Sequence, residues 1–351
     1  MIGLIMAGGS GTRFWPLSRK KMAKQYLSIF NEKSLIQLTF ERLNQLIKAE
    51  DIYVITTIDQ HRIVHEHLPQ LPKKNIIIEP YAMNTAACIA YSVNYLNRFY
   101  SDSTDLLIVP SDQLIDDYKL FNSSVISALE LSQKGFHVVF GIKPSYPATG
   151  YGYIEQGQAI NPSMFHVKQF KEKPDQKTAE MFISSGSFHW NCGIFLWTLK
   201  TINSSFRKYY AEGSQILDQI NLFNYQTENF FKIRSLYKSL PKMPVDIAIM
   251  EKAEQRAVVP LNLKWSDVGS WYSLHEVLDK DMDNNHFSSN SISINSHNNL
   301  VISKKLITCV DVDNLVIVET DDSILILPRG SSEKVKLLVE KMKADKLTQY
   351  L

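Results

Sequence analysis

A short apolar segment at the N-terminus runs directly into a loop rich in glycine. Residues 2–6 are mostly apolar, and three glycines follow them: Gly8, Gly9 and Gly11. This pattern predicts a buried strand that leads into a tight loop. Glycines leave the backbone N–H groups of such a loop open to a large anion, because no side chain shields them. Arg13 and Lys24 add two cations that flank the loop, so the segment is typical of a polyphosphate site.

Two familiar glycine loops do not match this one. The dinucleotide-binding fingerprint needs a third glycine where Phe14 stands, counting from Gly9, and no Gly-Lys-Ser/Thr triplet of a P-loop follows. An ordinary strand-to-helix turn is the alternative. The cations that follow the glycines, Arg13, Arg19 and Lys24, favour the polyphosphate interpretation.

Apolar strand patterns alternate with amphipathic helix patterns over the first 149 residues. Strands are predicted at 52–56, 76–78, 106–109 and 136–141, and helices at 34–49, 84–98 and 121–133. This alternation predicts an α/β fold with a mixed, mostly parallel, Rossmann-like sheet flanked by helices. Ligands of such sheets lie at the carboxyl ends of strands. We therefore expect the glycine loop, Glu79-Pro80 and Asp112 to lie at one edge.

The C-terminal part has a different pattern. Short β-type segments recur at 292–294, 300–302, 306–310, 315–318 and 324–327. Their regular spacing predicts a small β-solenoid-like domain, closed by a helix over 331–346 whose buried residues are Val335, Leu338, Val339 and Met342. The predicted domains are 1–280, with a nucleotide-binding part at about 1–149 and a sugar-phosphate-binding part at about 150–280, and then 281–351. An open solenoid end needs covering, so we expect a homodimer.

Composition excludes several classes of function. The 351 residues include 38 basic and 36 acidic side chains, a formal charge of only +2, so neither a nucleic-acid partner nor an anionic membrane is expected. The three cysteines, Cys88, Cys192 and Cys309, form no Cys-x-x-Cys pair, which argues against a disulfide framework or a zinc site. No segment approaches the ~18 apolar residues of a membrane span, and we expect a cytoplasmic protein.

Two acidic residues end apolar or aromatic segments, Asp112 and Asp267. Two carboxylates together with phosphate oxygens and waters commonly bind Mg²⁺, although helix capping is an alternative for Asp112. Lys173 beside Glu172 could equally be a surface ion pair. No Ser-His-Asp or Cys-His set stands out. The pattern therefore favours phosphoryl or nucleotidyl transfer, in which catalysis consists mainly of positioning and charge neutralisation.

Motifs along nearly the whole chain resemble those of the sugar-1-phosphate nucleotidylyltransferases, and most closely the bacterial mannose-1-phosphate guanylyltransferases (GDP-mannose pyrophosphorylases). The matching segments are 7–19 with Lys24-Gln25, Glu79-Pro80, 84–86, 110–112, 151–155, 170–174, 190–193, 246–248 and 265–271. The bifunctional relatives append a cupin isomerase domain, and we expect this chain to lack one.

The resemblance implies transfer of GMP from GTP to mannose 1-phosphate, giving GDP-mannose and pyrophosphate, with Mg²⁺ as cofactor. It implies catalytic roles for Arg13, Lys24, Asp112 and Lys173. It implies nucleotide contacts for Ala7, Gly8, Gly9, Gly11, Thr12, Arg13, Glu79, Asn84, Thr85 and Ser111. Sugar-phosphate contacts would come from Gly152, Glu172, Lys173, Asn191 and Asp246. The metal would be bound by Asp112 and Asp267.

Three positions depart from the family pattern: Ala23 replaces a proline, Met83 an arginine and Gln113 a histidine. Met83 removes a donor or charge near the expected nucleotide, which puts the selectivity for the base or the affinity for GTP in question. Two alternatives therefore stay open. One is a catalytically weak regulatory subunit that binds a nucleotide sugar, and the other is the same chemistry on another manno-configured sugar 1-phosphate.

Overall fold

A computed structural model describes residues 1–9, 11–30, 32–223, 229–289 and 291–351. Its strands are β1 (Ile2–Ala7), β2 (Ile52–Thr57), β3 (Ile76–Glu79), β4 (Asp105–Pro110), β5 (Leu114–Ile115), β6 (His137–Ile142), β7 (Tyr153–Asn161), β8 (Met164–Lys171), β9 (Phe188–Thr198), β10 (Arg256–Leu261), β11 (Trp265–Ser266), β12 (His286–Phe287), β13 (Ser291–Ile294), β14 (Leu300–Ile302), β15 (Ile307–Val310), β16 (Leu315–Glu319) and β17 (Ile324–Pro328). Its α-helices are α1 (Leu35–Asn44), α2 (His61–His67), α3 (Thr85–Leu96), α4 (Tyr118–Gln133), α5 (Gln176–Ser185), α6 (Leu199–Tyr209), α7 (Ala211–Asn221), α8 (Phe230–Lys238), α9 (Trp271–Val277) and α10 (Val335–Ala344).

The chain forms two compact units, and neither is continuous in sequence. The sheet unit comprises Met1–Gly8, Thr39–Ser111 and Ile115–Trp265, and the solenoid unit comprises Gly9–Leu38, Asp112–Leu114 and Ser266–Leu351. The predicted domain limits 1–280 and 281–351, and the division near residue 150, stay predictions.

A nine-stranded sheet forms the centre of the sheet unit, in the order β3-β2-β1-β4-β9-β6-β10-β8-β7. Strands β3, β2, β1 and β4 are parallel to one another, and β6 is parallel to β10. Strand β9 is antiparallel to β4, β6 and β7. The main-sheet strands of the N-terminal part, together with β7 and β10, therefore run in one direction, while β8 and β9 run in the opposite direction.

Helices cover both faces of this sheet. Val139 of β6 belongs to the apolar core shared with α3, α6, α7 and α8, whereas the ring of the next residue, Phe140, lies 6.4 Å from that of Phe121 on α4. Because successive side chains of a strand point to opposite faces, both faces of β6 are buried. This explains why the strands appear in the sequence as continuous apolar runs.

The carboxyl ends of β1, β3 and β4 lie at the same edge of the sheet, as their parallel direction requires. Ala7 ends β1, Glu79 ends β3 and Ser111 follows β4. The Ser111 N–H donates to the Met6 carbonyl at 3.0 Å, which ties the end of β4 to that of β1. Of the groups expected at this edge, Gly8 and Glu79-Pro80 lie there in the sheet unit, and Asp112 belongs to the solenoid unit.

A parallel β-solenoid forms much of the solenoid unit. Strand β12 pairs with β14 and β14 with β16, while β13 pairs with β15, all in parallel. Residues His286, Leu300 and Val316 occupy equivalent positions in successive coils. Strand β17 then pairs antiparallel with β16. The spacing in the sequence therefore predicted the repeat correctly.

The terminal helix is shorter than predicted. Residues Arg329–Lys334 form a 3₁₀ segment, and α10 extends over Val335–Ala344. Val335, Val339 and Met342 are buried as expected, but Leu338 is 37% exposed, so its place in the buried stripe was wrong. A residue three positions from Val335 lies about 60° away around the helix, which takes it to the margin of the buried face. None of the described helices is long and apolar enough to cross a membrane.

Candidate active site

The glycine loop is closely packed against the segment that contains Lys24. Gly11 has φ of 59°, and a Cβ atom built on it would lie 2.3 Å from Lys24 Cβ and 2.9 Å from Lys24 N. Both the left-handed conformation and the close backbone approach therefore require glycine at this position. The Ser18 hydroxyl donates to the Gly11 carbonyl at 2.7 Å and closes the loop.

The residues around this turn are held from two sides. Thr12 and Arg13 lie in a 3₁₀ turn that ends at Phe14, whose ring centroid is 4.8 Å from that of Trp271. The buried Gln25 side-chain amide donates to the Gly9 carbonyl at 3.2 Å. Gln25 accompanied Lys24 in the sequence motif, but its contact with the loop could not be predicted from spacing. Residue 10 lies outside the described residues.

Of the two candidate cations in the solenoid unit, Lys24 is more deeply buried than Arg13. Its side chain is 6% exposed, and its ammonium lies 2.6 Å from Asp112 Oδ2. The same ammonium donates to the Asp267 backbone carbonyl at 2.6 Å. The structure thus brings three of the predicted catalytic and metal-binding residues together around one positive charge.

Arg13 is directed toward a different carboxylate. Its Nε atom lies 2.7 Å from Glu333 Oε2, and the two side chains are 47% and 68% exposed. Surface ion pairs of this type contribute little stability, so the guanidinium can exchange Glu333 for another anion at small cost.

Asp112 and Asp267 form a donor set that fits a magnesium ion. Asp112 is 38% exposed, and Asp267 Oδ1 accepts from the Gly269 N–H at 2.9 Å, which orients that carboxyl group. Carboxylate oxygens are hard donors, and Mg²⁺ usually takes one or two of them together with phosphate oxygens and waters. Within the described ranges, no cluster of three or more His, Cys, Asp or Glu side chains could hold a metal alone.

The other predicted nucleotide contacts belong to the sheet unit. Ala7 ends β1 and Gly8 follows it, and the Ala7 carbonyl accepts from the Thr56 hydroxyl at 2.8 Å. A Cβ on Gly8 would lie 3.3 Å from Glu79 Oε2. Ser111 is buried at the end of β4. The predicted nucleotide set is therefore divided, with Gly9, Gly11, Thr12 and Arg13 in the solenoid unit.

Glu79 is almost completely buried, at 3% exposure. Its Oε1 atom accepts from the Tyr237 hydroxyl at 2.6 Å and from the Met83 N–H at 3.3 Å. Burial raises the pKa of Glu79, while the two hydrogen bonds act in the opposite direction. Tyr237 was not predicted as a site residue, because it lies in a helix 158 positions away and no local motif marks it.

Asn84 and Thr85 use their side chains within the sheet unit. Asn84 has φ of 75°, and its side chain accepts from the Thr85 N–H at 2.8 Å at the start of α3. The Thr85 hydroxyl accepts from the Val245 N–H at 2.8 Å. Thr85 therefore holds the residue immediately before Asp246, so it acts on the predicted sugar-phosphate set through the backbone.

The five predicted sugar-phosphate residues are neighbours in the structure. The Asn191 side-chain amide donates to Asp246 Oδ1 at 2.7 Å, and its backbone N–H donates to the Gly152 carbonyl at 2.8 Å. A Cβ on Gly152 would lie 2.7 Å from Glu172 Oε2, so a larger residue would displace that carboxylate. These residues come from β9, the loops around β7 and β8, and the turn before β10.

Asp246 begins a π-helical turn, Asp246–Met250, a rare conformation that is frequent at functional sites. Burial, followed by the repulsion of Glu172, raises the pKa of Asp246 to about 6, although the hydrogen bond from Asn191 opposes the shift. A carboxylate held in this way accepts a hydroxyl hydrogen bond strongly.

Lys173, the fifth residue, has φ of 44° and a side chain that is 60% exposed. Its ammonium lies 2.8 Å from Glu172 Oε1. The structure therefore has Lys173 in an ion pair with Glu172, while its exposure leaves the ammonium accessible to an anion.

The departures from the family pattern lie in packed surroundings. Ala23 is 1% exposed and Gln113 is 6% exposed, whereas the Met83 side chain packs against the apolar core of the sheet unit. Met83, four positions after Glu79, has a thioether side chain, which has no hydrogen to donate.

Two protein-family models match the chain. One is described as nucleotidyl transferase and matches residues 2–284, and the other is described as MannoseP isomerase/GMP-like beta-helix domain and matches residues 289–342. They confirm the predicted fold class, which combines a Rossmann-like nucleotidyltransferase fold with a C-terminal β-helix-like region.

Individual proteins match over the same length. The chain is 37% identical over 361 residues to the mannose-1-phosphate guanylyltransferase of Klebsiella pneumoniae, a match that covers 100% of this chain and 75% of that relative. It is 35% identical over 348 residues to the xanthan biosynthesis protein XanB of Xanthomonas campestris pv. campestris, covering 98% of this chain and 73% of the relative. A crystal structure described as mannose-1-phosphate geranyltransferase from Thermus thermophilus matches with a TM-score of 0.88 at 28% identity, covering 97% of this chain and 99% of that chain.

Proposed function

Because this chain belongs to the mannose-1-phosphate guanylyltransferase family of nucleotidyl transferases, we propose that it transfers GMP from GTP to α-D-mannose 1-phosphate. The products are GDP-mannose and pyrophosphate. The observation that carries the proposal is the position of Lys24, whose ammonium contacts the side chain of Asp112 and the backbone of Asp267. The name of the Xanthomonas relative supports a GDP-mannose supply for polysaccharide synthesis.

The reaction is a single in-line displacement. A phosphate oxygen of mannose 1-phosphate forms a bond to the α-phosphorus of GTP, and the bond to the bridging oxygen of pyrophosphate breaks. The pyrophosphate oxygen leaves with the electron pair, so no enzyme nucleophile is needed. Lys24 neutralises the charge that accumulates on the α-phosphate oxygens.

The glycine loop binds the β- and γ-phosphates in this proposal. The backbone N–H groups of Gly8, Gly9, Gly11 and Thr12 supply donors, and Arg13 supplies a guanidinium that leaves Glu333 for the triphosphate. Mg²⁺ bound by Asp112 and Asp267 would supply electrostatic stabilisation of the triphosphate oxygens.

The buried edge of the sheet binds guanine and ribose. Glu79 Oε2 faces Gly8, while Tyr237 and Met83 occupy Oε1, so one carboxylate oxygen is oriented for ligand donors. Ala7, Asn84, Thr85 and Ser111 complete this part of the site.

The linked carboxylates and amide of the sheet unit read the sugar hydroxyls. Asp246 and Glu172 accept hydrogen bonds, Asn191 can both donate and accept, and Gly152 leaves space for the Glu172 carboxylate. Lys173 binds the phosphate of mannose 1-phosphate by exchanging its contact with Glu172.

We also propose a homodimer. Strands β13 and β15 direct Ile292, Ile294 and Val310 outward, and each of these side chains is more than half exposed. An apolar sheet face of this kind is stabilised when a second copy covers it. Light scattering that gives the mass of a monomer would contradict this association. The expected cytoplasmic location stays a prediction.

Pyrophosphate release by the purified protein tests the function. The reaction contains Mg²⁺, mannose 1-phosphate and GTP, with ATP, UTP and dTTP in parallel reactions, and Asp112→Asn serves as the inactive control. Release with GTP that disappears in the variant is expected. Release with another nucleotide would show that the transfer chemistry is right and that the proposed selectivity for guanine, at the base site beside Met83, is wrong.

The two alternatives give different results in the same assay. Absence of release with every nucleotide, from protein that still binds GDP-mannose, would favour the regulatory subunit. Faster release with another manno-configured sugar 1-phosphate would leave the chemistry intact and change the substrate.

A further inference from the structure

Arg19 is bound on all sides by other groups of the solenoid unit. Its Nε donates to the Pro16 carbonyl at 2.7 Å, its Nη1 donates to the Tyr350 carbonyl, and its Nη2 donates to Asp322 Oδ1 at 2.6 Å. Further contacts join Nη2 to the Thr320 and Ser323 hydroxyls at 3.3 and 2.9 Å. Each nitrogen of the guanidinium group is therefore engaged. The sequence placed Arg19 among the cations of the polyphosphate loop. In the structure its guanidinium nitrogens instead bind protein groups of the solenoid unit.

The Tyr350 carbonyl is a shared anchor. It accepts from the Trp15 indole N–H at 2.7 Å as well as from Arg19. The Arg19 guanidinium carbon also lies 5.8 Å from the Trp15 ring centroid, within the range of a cation–π contact. The Tyr350 backbone thus contacts both Trp15 and Arg19 in the segment that follows the glycines.

A short hydrogen-bonded path joins the Arg19 contacts to the phosphate loop. The Pro16 carbonyl and the Trp15 indole lie between Arg19 and the turn that contains Thr12 and Arg13. Within this path Phe14 N–H donates to the Gly11 carbonyl and Ser18 N–H donates to the Phe14 carbonyl, both at 2.9 Å. A displacement of residues 15–19 would therefore move the loop that donates N–H groups to the phosphates.

The charge and burial of this cluster favour a positioning role over a surface ion pair. The Arg19 side chain is 18% exposed, and the contact with Arg19 lowers the pKa of Asp322. The planar guanidinium holds three acceptors from separate segments in fixed directions, which a lysine ammonium on a flexible stem could not do.

We propose that Arg19 is a positioning residue that clamps the triphosphate-binding loop to residues 320–323 and to the Tyr350 carbonyl. The C-terminal segment thereby sets GTP affinity, in addition to any part in association. This inference rests on the proposed function for its kinetic consequence and on the described contacts for its structural one.

Arg19→Met tests the clamp, with Arg62→Met on α2 as the matched control for loss of one arginine. The expected result is a rise of about tenfold in the KM for GTP, with kcat and the KM for mannose 1-phosphate changed by less than about twofold, because loosening the loop removes binding that ground and transition states share. Equal losses for both substrates, or no change, would overturn the proposal.

Hydrogen exchange of the unliganded protein gives a readout that needs no activity. Amide exchange in residues 12–18 should accelerate in Arg19→Met and not in Arg62→Met. Unchanged exchange would contradict the clamp even if kinetics changed. If wild-type protein releases no pyrophosphate, the proposed function fails, and the exchange result still decides whether the clamp exists.

A milder variant covers the case in which Arg19→Met does not fold. Asp322→Asn keeps an acceptor for the Arg19 guanidinium but removes the negative charge of the carboxylate. The KM for GTP and the exchange rate should therefore both rise, but less than in Arg19→Met. Wild-type values for both quantities in a folded Asp322→Asn protein, together with an unfolded Arg19→Met, would assign Arg19 to general stability and overturn the proposal.

Discussion

Lys24 and Asp112 form an ion pair in which the ammonium nitrogen and carboxylate oxygen are 2.6 Å apart, with the lysine side chain almost fully buried. Asp112 is about six times more exposed, at 38% against 6%. One member of the pair is therefore fixed by packing, while the other faces solvent and remains accessible to a metal ion or a phosphate-bearing ligand.

Replacing Lys24 with methionine should lower kcat far more than it lowers stability. Methionine fills a similar volume near Phe14 but provides no charge for the α-phosphate, and loss of one such electrostatic contact typically costs about 100-fold or more in rate. Single-turnover kinetics with thermal unfolding of the same samples would measure both effects. Retention of more than about a tenth of the wild-type rate would contradict the role given to Lys24.

Gly11→Ala should distort the phosphate loop. A methyl group there would approach Lys24 backbone and Cβ atoms, and the left-handed backbone adds strain, together about 1–3 kcal/mol. The midpoint of chemical denaturation should fall and the KM for GTP should rise. Gly330→Ala is the matched control, because a Cβ on Gly330 meets no atom within 4 Å. Equal behaviour of the two variants would show that Gly11 is not sterically required.

Asp246→Asn should separate stability from function. Asparagine keeps an acceptor for the Asn191 amide but removes a carboxylate whose pKa burial raises to about 6, so the variant should be more stable at pH 7 by on the order of 1 kcal/mol. The KM for mannose 1-phosphate should rise, since the amide accepts sugar hydroxyl bonds more weakly. Calorimetry should show the gain in stability, and kinetics on the same preparation should show the rise in KM. A destabilised variant would contradict the prediction.

The pH dependence of sugar-phosphate binding should follow Asp246. Below a pH of about 6 the carboxyl group takes up a proton in the folded protein, whereas in the unfolded chain the pKa of that group has its ordinary value of 3.8. Its contribution to stability is therefore greatest at low pH and is lost as the pH rises toward 6. Affinity has the opposite trend, because the protonated group accepts hydrogen bonds less well, so kcat/KM for mannose 1-phosphate should fall below a pH of about 6. The inflection should be absent in Asp246→Asn.

Local sequence patterns predicted a large part of this molecule. Apolar strands and the glycines after β1 report on neighbours along the chain, because backbone conformation and strand burial depend on nearby residues. Ile292 and Thr308, sixteen positions apart, pair in the solenoid because equal spacing brings successive coils into register. The candidate site residues could also be predicted from the sequence, because they lie in short motifs that can be recognised from neighbouring residues.

The tertiary structure alone decided which of these residues meet and which partners they use. Arg19 has the same charge as Arg13 and stands six positions away, yet it binds the Tyr350 carbonyl 331 positions later. Tyr237 reaches Glu79 across 158 positions, and Asn191 reaches Asp246 across 55. Distances of this kind depend on how the sheet and the solenoid each pack, and no periodicity or local spacing encodes them. The sequence by itself thus determined the elements and the chemistry that is present, while packing determined how the groups are oriented, buried and paired.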